Sequence, residues 1–208
     1  MTYELAGLAN QFWAQWDTAK PLLELEDIDY VAKQFIDKGV PVTMVKYRVV
    51  GLTEELFSRW TSDPFALGPQ MNSKLTRVDL PDDEGHKLVH MRLKMPSLIA
   101  NRSMICCTYR YTQLNDNRKV IITSSHGNDE IVKARKKEIG KDVVANNFIT
   151  YMGWLPYEGG LELHWLSKMD AAGSIPKMIK NKVAKRVGRE LQILVDYIMN
   201  GSLPEPIF

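Results

Sequence analysis

Hydrophobic and polar positions change period twice along this chain. Near the N-terminus, apolar side chains recur at helical spacing, at Leu5, Leu8, Phe12 and Trp16. This spacing predicts an amphipathic helix within residues 1–20 that ends before Pro21. Such a helix either packs against the rest of the domain or lies on a membrane. Because only Lys20 could anchor it to anionic headgroups, the pattern favours packing.

Alternation of period two takes over in the middle of the chain. Val45, Tyr47 and Val49 alternate with polar residues, which predicts a strand with one apolar face. Residues 30–36 are either a helical turn or a partner strand, and the turn at 37–39 favours a hairpin. Five further strand-like runs follow between turn signals: Leu75–Leu80, Lys87–Met95, Ser103–Thr112, Arg118–Ser125 and Val143–Leu155.

Two helices interrupt and close this series of strands. Thr53 is the expected N-cap of a short helix that ends at Asp63-Pro64. In the last strand, Leu161, Leu163, Trp165 and Met169 face one way, and Glu162, His164 and Lys168 face the other. The final helix, expected over 174–200, carries an apolar stripe: Ile175, Ile179, Val183, Val187, Leu191, Leu194 and Ile198.

The order of elements predicts an α+β fold. Consecutive strands with tight turns form one curved antiparallel sheet over residues 29–170, and a long helix with one apolar stripe lies across it. No repeat or linker divides the chain, so residues 1–208 are predicted to form a single domain. The protein is expected to be a monomer.

Composition narrows the classes of function. The chain is 45% hydrophobic and 25% charged with a net charge of +2, which argues against a dedicated nucleic-acid-binding protein. No apolar run approaches the roughly 20 residues of a membrane span, and the N-terminus lacks the pattern of a secretory signal. Two adjacent cysteines, Cys106 and Cys107, are typical of a reducing setting, so a cytoplasmic location is expected.

Several segments, in order along the chain, resemble the StAR-related lipid transfer (START) family. The passage from Met169 to Lys177, MDAAGSIPK, is similar to the turn through which that family enters its closing helix. Pro96, Asn101 and Arg102 match a Pro-x-x-x-Asn-Arg-Asp segment, and MGWLPYEGG supplies a Gly-Trp pair. The resemblance covers residues 30–201, although Ser103 replaces the family's Asp and no Trp-Asp match occurs around 68–73.

This resemblance implies a helix-grip (START/Bet v 1-like) fold with an internal hydrophobic cavity. It implies binding and intermembrane transfer of a single phospholipid or sterol, without catalysis, cofactor or metal. The strand pattern alone leaves open whether the inward side chains line a cavity or pack against one another. The expected lipid-binding residues are Met91, Leu93, Arg102, Met104, Cys106, Leu163, Trp165, Met169, Ile179, Val183, Val187 and Leu191.

Arg102 has two interpretations at this stage. In some START relatives the matching arginine points into the cavity and pairs with an acid, and no acid occurs in the neighbouring strand here. A buried Arg102 would therefore need another counter-charge, such as a lipid headgroup. Alternatively, it is a solvated arginine in a loop.

Transfer implies transient contact with an anionic membrane. The gate is expected at the closing helix and the 95–101 loop, whose apolar tip carries Leu98 and Ile99. Lys177, Lys180 and Lys185 belong to a basic set on the closing helix, completed by Lys182, Arg186 and Arg189. A second basic cluster is Lys133, Arg135, Lys136, Lys137 and Lys141. Both clusters are alternatively ordinary solvated faces.

The alternative function is a helix-grip enzyme of the aromatase/cyclase type acting on a hydrophobic small molecule. Such a site needs placed acids, bases or oxyanion donors. The sequence shows no Ser/His/Asp constellation, no Gly-rich phosphate loop and no metal-ligand spacing. His86 and His90 would lie about 13 Å apart on a strand, so all four histidines are expected to be solvated or satisfied structurally.

Overall fold

The computed structural model describes residues 2–25, 28–66, 69, 74–81, 86–97, 99–125, 127, 129–175 and 186–201, without the side chain of Trp60. Within these residues the chain forms five helices and a single sheet of ten strands. The strands are β1 Lys20–Leu25, β2 Tyr30–Asp37, β3 Val40–Val50, β4 Leu75–Asp79, β5 Leu88–Leu93, β6 Arg102–Thr112, β7 Lys119–Ser124, β8 Val143–Val144, β9 Asn146–Tyr157 and β10 Gly160–Asp170.

The sheet runs in the order β1-β2-β3-β10-β9-β7-β6-β5-β4, with each neighbouring pair antiparallel. The short β8 pairs with β6 in parallel, off this path. Since β10 lies between β3 and β9, the last strand of the chain joins the first hairpin to the rest of the sheet. The predicted α+β class is confirmed, and every predicted strand overlaps an observed one.

The five helices are α1 Thr2–Trp13, α2 Glu54–Thr61, α3 Asp129–Ala134, α4 Lys136–Ile139 and α5 Glu190–Asn200. Thr53 caps α2 as predicted, because its hydroxyl accepts a hydrogen bond from the Leu56 backbone N–H at 3.2 Å. Gly201 ends α5 in the left-handed region at φ +68°, which glycine adopts without steric cost.

The sheet has apolar clusters on both faces. Leu5, Ala9 and Phe12 of α1 pack on the face that we term the outer face, together with Ile139 of α4. Phe57 of α2 and four residues of α5 pack on the opposite, inner face, and these four are Leu191, Leu194, Val195 and Ile198. The N-terminal helix therefore packs against the domain, which was the favoured alternative. Both sides of the central strands are shielded from water as a result.

Three elements differ from the sequence-based expectation. β1 follows α1 at an edge of the sheet, where Pro21 can be accommodated because an edge strand has one unpaired side. The 129–139 segment forms α3 and α4 although it shows no apolar stripe. The predicted strand 143–155 is divided, because β8 pairs with β6 before β9 begins at Asn146.

The closing helix was predicted to be continuous over 174–200, but it is interrupted. Ser174 and Ile175 are not helical, and a turn at Gly188 and Arg189 precedes α5. Glycine lowers helix stability at this point. In addition, the buried Tyr30 hydroxyl donates to the Gly188 carbonyl at 2.6 Å and accepts from the Gln192 backbone N–H. A side-chain hydroxyl thus takes the place of the 192-to-188 hydrogen bond of a regular helix.

Candidate functional site

The inner face of the sheet carries three bands of side chains that differ in chemistry. Register places Trp165 of β10 between Val45 of β3 and Met152 of β9, with Ile121 of β7 beyond. These residues belong to the apolar band beneath α2 and α5. Four predicted lipid-binding residues lie in or against this packed cluster: Leu163, Trp165, Val187 and Leu191.

A polar row crosses the inner face next to this apolar band. It is formed by one residue from each of six adjacent strands: Gln34, Thr43, Ser167, Thr150, Thr123 and Thr108. Each lies two positions from an inward-facing residue on its own strand, so all six share that face. Four of them are at most 9% exposed: Thr43, Ser167, Thr123 and Thr108. The middle of the inner face is therefore both buried and polar.

Hydrogen bonds hold part of this row in place. Gln34 donates to the Thr43 hydroxyl at 2.9 Å. The buried Asn147 amide donates to the Thr123 hydroxyl at 3.2 Å and accepts from the Thr150 hydroxyl at 3.1 Å. Sequence reasoning missed the row, because each threonine or serine on its own is ordinary in a strand. The available signal was a hydroxyl residue two positions from an apolar one in five strands.

The third band, which we term the soft band, is built mainly of polarizable methionine and cysteine side chains on β5 and β6. Met91, Cys106, Val89 and Phe65 form a buried cluster against which Met104 and Leu75 pack. Leu93, the last residue of β5, is half-buried. Burial raises the pKa of the Cys106 thiol to about 12, so the side chain is a neutral apolar group at physiological pH. The predicted residues Met91, Leu93, Met104 and Cys106 thus come together on neighbouring strands.

Arg102 lies at the start of β6 and is only 4% exposed, which excludes the solvated-loop interpretation. Its guanidinium donates to the carbonyls of Ala171 at 2.7 Å, Ala172 at 3.1 Å and Ala100. These carbonyls supply the acceptors that a buried guanidinium requires. Arg102 therefore connects the 95–101 loop to the turn that follows β10.

That turn is also fixed by its own backbone. Ala172 and Gly173 have φ of +52° and +63°, and the Asp170 carboxylate accepts from the Ala172 backbone N–H at 2.9 Å. Met169, at the end of β10, is 42% exposed. Hence, among the predicted lipid-binding residues that the structure describes, Met169 is the one that is exposed, at the edge of the site.

The base of the 95–101 loop is anchored from both sides. Asn101 accepts from the Met95 backbone N–H at 3.0 Å and its carbonyl accepts from Val143 N–H at 2.9 Å. Ser103, in place of the family's Asp, donates to Asp142 at 2.8 Å. A bidentate ion pair with Arg92 lowers the pKa of this carboxyl. Ile99 is half-buried at the tip.

Several predicted positions lie outside the described residues. They are Leu98 in the loop, and Ile179, Val183, Lys177, Lys180, Lys182 and Lys185 in the closing segment. Arg186 and Arg189 are described and line a groove of about 680 Å³ between β1 and α5, together with Leu22, Leu23 and Ile193. In the second basic cluster, Lys133 pairs with Glu130 and Arg135 with Glu138, while Lys136, Lys137 and Lys141 are exposed.

Two buried histidines, His90 and His164, lie on the outer face and not at the site. The Nε2 of His90 has no hydrogen-bond partner among the described residues, contrary to the expectation that every histidine is solvated or satisfied. His164 is held between Glu162 at 2.7 Å and Arg118 at 2.9 Å, with Trp13 of α1 against its ring. Burial, and then Arg118, lowers its pKa to about 4. Gly153 lies opposite in the register, where a Cβ would come within 2.7 Å of the Arg118 side chain. Gly153 thereby leaves the space that Arg118 needs to reach His164.

Within the described ranges, no helix is long and apolar enough to cross a bilayer. In the same residues, no group of three or more His, Cys, Asp or Glu side chains is placed to hold a metal ion.

The fold is shared with lipid transfer proteins of known structure. Human StAR-related lipid transfer protein 5 matches with a TM-score of 0.70 at 12% identity, over 97% of this chain and 95% of that one. Human STARD10 gives 0.63 at 13% identity, over 84% and 69% of the two chains. A STAR-related lipid transfer protein from Xanthomonas axonopodis gives 0.63 at 12% identity, over 86% and 98%.

No protein-family model matches the chain, and no curated protein matches its sequence significantly. At such low identity the structural matches show the fold. The predicted helix-grip fold and its resemblance to START domains are confirmed at that level.

Proposed function

We propose that this protein binds a single lipid against the inner face of its sheet and transfers it between membranes without covalent chemistry. The observation that carries the proposal is the inner face itself. A buried polar row separates a packed apolar band from a soft band of methionine, cysteine and leucine side chains. The fold adds support, since the matched structures are of proteins named for lipid transfer.

The soft band is the proposed contact surface for the hydrocarbon part of the lipid. Methionine side chains adapt to apolar partners of irregular shape because they are unbranched and polarizable. Met91, Leu93, Met104 and Cys106 present such a surface over the neighbouring strands β5 and β6. Leu163, Trp165, Val187 and Leu191 extend it beneath α5, with Ile179 and Val183 assigned to it by sequence alone.

Energetics favour such a carrier. Each methylene kept from water contributes about 0.8 kcal/mol, so one long acyl chain is held in a membrane by on the order of 10 kcal/mol. An apolar protein surface that replaces the membrane interior offsets most of this cost while the lipid crosses water. The site then has to hold the lipid in place, and no bond has to be made or broken.

Arg102 has a positioning role in this proposal. It joins the 95–101 loop to the turn before the closing segment through the carbonyls of Ala100, Ala171 and Ala172. A lipid must pass between these elements if they form the gate. The membrane-facing residues of the gate are then Leu98, Ile99, Lys177, Lys180 and Lys185, whose basic members attract anionic lipid.

Lipid loading tests the proposal directly. The purified protein is analysed by native mass spectrometry after incubation with vesicles, and transfer of labelled phospholipid or sterol to acceptor vesicles is timed. Met104→Trp places a bulky ring on the soft band and should lower loading at least tenfold. Leu114→Trp is the matched control, because Leu114 is 95% exposed, and should load as the wild type does.

The proposal fails if the wild-type protein takes up no lipid and transfers none above the spontaneous rate. It also fails if Met104→Trp and Leu114→Trp load equally, because the soft band would then not be the contact surface.

A further inference from the structure

The polar row has more hydrogen-bonding capacity than its own contacts use. We propose that it is a recognition subsite for a hydroxyl or carbonyl group within the body of the bound lipid. This inference rests on the proposed function and narrows its ligand class. The protein would select a lipid that carries such a group partway along its hydrocarbon over one with an unsubstituted chain.

The position of the row supports this choice of ligand. Adjacent strands lie about 4.8 Å apart, so five neighbouring hydroxyl positions span roughly 19 Å, from Thr43 on β3 to Thr108 on β6. The apolar band adjoins the row on β3, β10, β9 and β7, and the soft band adjoins it on β6. A ligand that lies across both bands therefore places the middle of its length, and neither of its ends, against the hydroxyl groups.

Thr108 is the key residue of the subsite. It is 9% exposed, and its hydroxyl has no hydrogen-bond partner among the described residues. A buried hydroxyl without a partner is destabilising, so proteins normally satisfy such a group. Thr108 faces inward from β6 between Cys106 of the soft band and Arg110, directly opposite Thr123. A ligand group at this point would supply the missing partner.

The chemistry of the row defines which groups it can accept. A hydroxyl both donates and accepts, so the Thr108 side chain can bond either a ligand hydroxyl or a ligand carbonyl. Thr123 and Thr43 already accept from Asn147 and Gln34, and each keeps its own hydrogen to donate. Two or three donors in line thus favour an oxygen-bearing group. The row carries no charged residue, so a neutral group fits it better than an ionic one.

A matched pair of fatty acids tests the inference. Octadecanoic acid and 12-hydroxyoctadecanoic acid differ by one mid-chain hydroxyl, and their dissociation constants are measured by displacement of a fluorescent fatty acid. The wild-type protein should bind the hydroxylated acid at least tenfold more tightly. Thr108→Val, which keeps the shape and removes the hydroxyl, should reduce that preference to less than threefold by weakening the binding of 12-hydroxyoctadecanoic acid.

Two further variants separate recognition from folding. Thr112→Val makes the same change at an exposed position of β6 and should keep the full preference. Thr108→Val should unfold at the same temperature as the wild type or higher, because an unpartnered buried hydroxyl is removed. Thr123→Val should unfold at a lower temperature, because the Asn147 amide loses one of its acceptors.

The outcomes distinguish the two proposals. Equal binding of the two acids to the wild-type protein overturns the subsite and leaves lipid binding intact. A preference that survives in Thr108→Val also overturns it. Failure of the wild-type protein to bind either acid, together with no lipid loading from vesicles, overturns the proposed function and the subsite with it.

Discussion

The two faces of the sheet bury polar groups in different ways. On the outer face, two buried ionisable groups are held in pairs: Lys168 with Asp37 at 2.5 Å, and His164 with Glu162. Across the polar row of the inner face they are neutral hydroxyls and amides. A buried charge requires a fixed partner, whereas a hydroxyl can change partners at little cost. The outer face is thus suited to holding α1, and the inner face to the exchangeable lipid that we propose.

The first way to test this contrast, with the largest expected effect, is to truncate one buried leucine on each face. Leu163 and Leu166 are both fully buried on β10, one in the inner cluster and the other in the outer cluster. Replacing either by alanine should lower the free energy of unfolding by about 3 kcal/mol, measured by urea denaturation. Only Leu163→Ala should also change lipid loading, since its side chain is part of the proposed contact surface. Equal effects of both variants on loading would contradict the contrast.

Acidification tests the buried ionisable groups of the outer face. The ordinary pKa of His164 is 6.5, and burial together with Arg118 lowers the folded-state value to about 4. Below pH 6.5 the unfolded chain therefore binds a proton that the folded chain does not. The contribution of His164 to the free energy of unfolding is complete above pH 6.5. It decreases by on the order of 3 kcal/mol as the pH drops toward 4.

His164→Gln provides the comparison for that titration. Glu162, Arg118 and Lys46 surround the ring, and His90, whose pKa burial also lowers, adds a slope of the same sign. Urea denaturation at intervals between pH 4 and 7 should show a shallower slope for the glutamine variant. An unchanged slope would show that His164 does not carry the pH dependence.

The smallest expected effect concerns the closing helix. Tyr30→Phe removes the hydroxyl that lies between the Gly188 carbonyl and the Gln192 backbone N–H. The loss of one buried hydrogen bond should cost about 1 kcal/mol. Amide hydrogen exchange should become faster at Gln192 in particular, with the middle of α5 unaffected. Unchanged protection at Gln192 would contradict the role assigned to Tyr30.

Most of the fold could be predicted from the sequence, because a strand with one buried face shows a regular alternation of apolar and polar residues. Alternation predicted β10, β3 and the β2–β3 hairpin, and a stripe predicted α1. Edge strand β1 gave no such signal, since KPLLEL does not alternate and contains a proline. Segment 129–139 is rich in charge, and only Ile139 of α3 and α4 is fully buried, so its helices depend on tertiary contacts.

The site was less accessible from sequence than the fold. Single positions such as Met91 and Cys106 were found because they are apolar at alternate positions of a strand. The polar row depends on the register between six strands, and no local pattern contains that register. Tyr30 and Gly188 are 158 positions apart in the sequence, so no local pattern could show that they meet.

The two adjacent cysteines of β6 have a practical consequence. Cys106 belongs to the soft band on the inner face and Cys107 to the cluster on the outer face, and both thiols are buried and outside any disulfide. Each can react with a reagent only when its own side of the sheet opens. When one cysteine is replaced at a time, the rate of thiol modification reports how often one face of the sheet opens. A bound lipid should slow the modification of Cys106 and leave that of Cys107 unchanged.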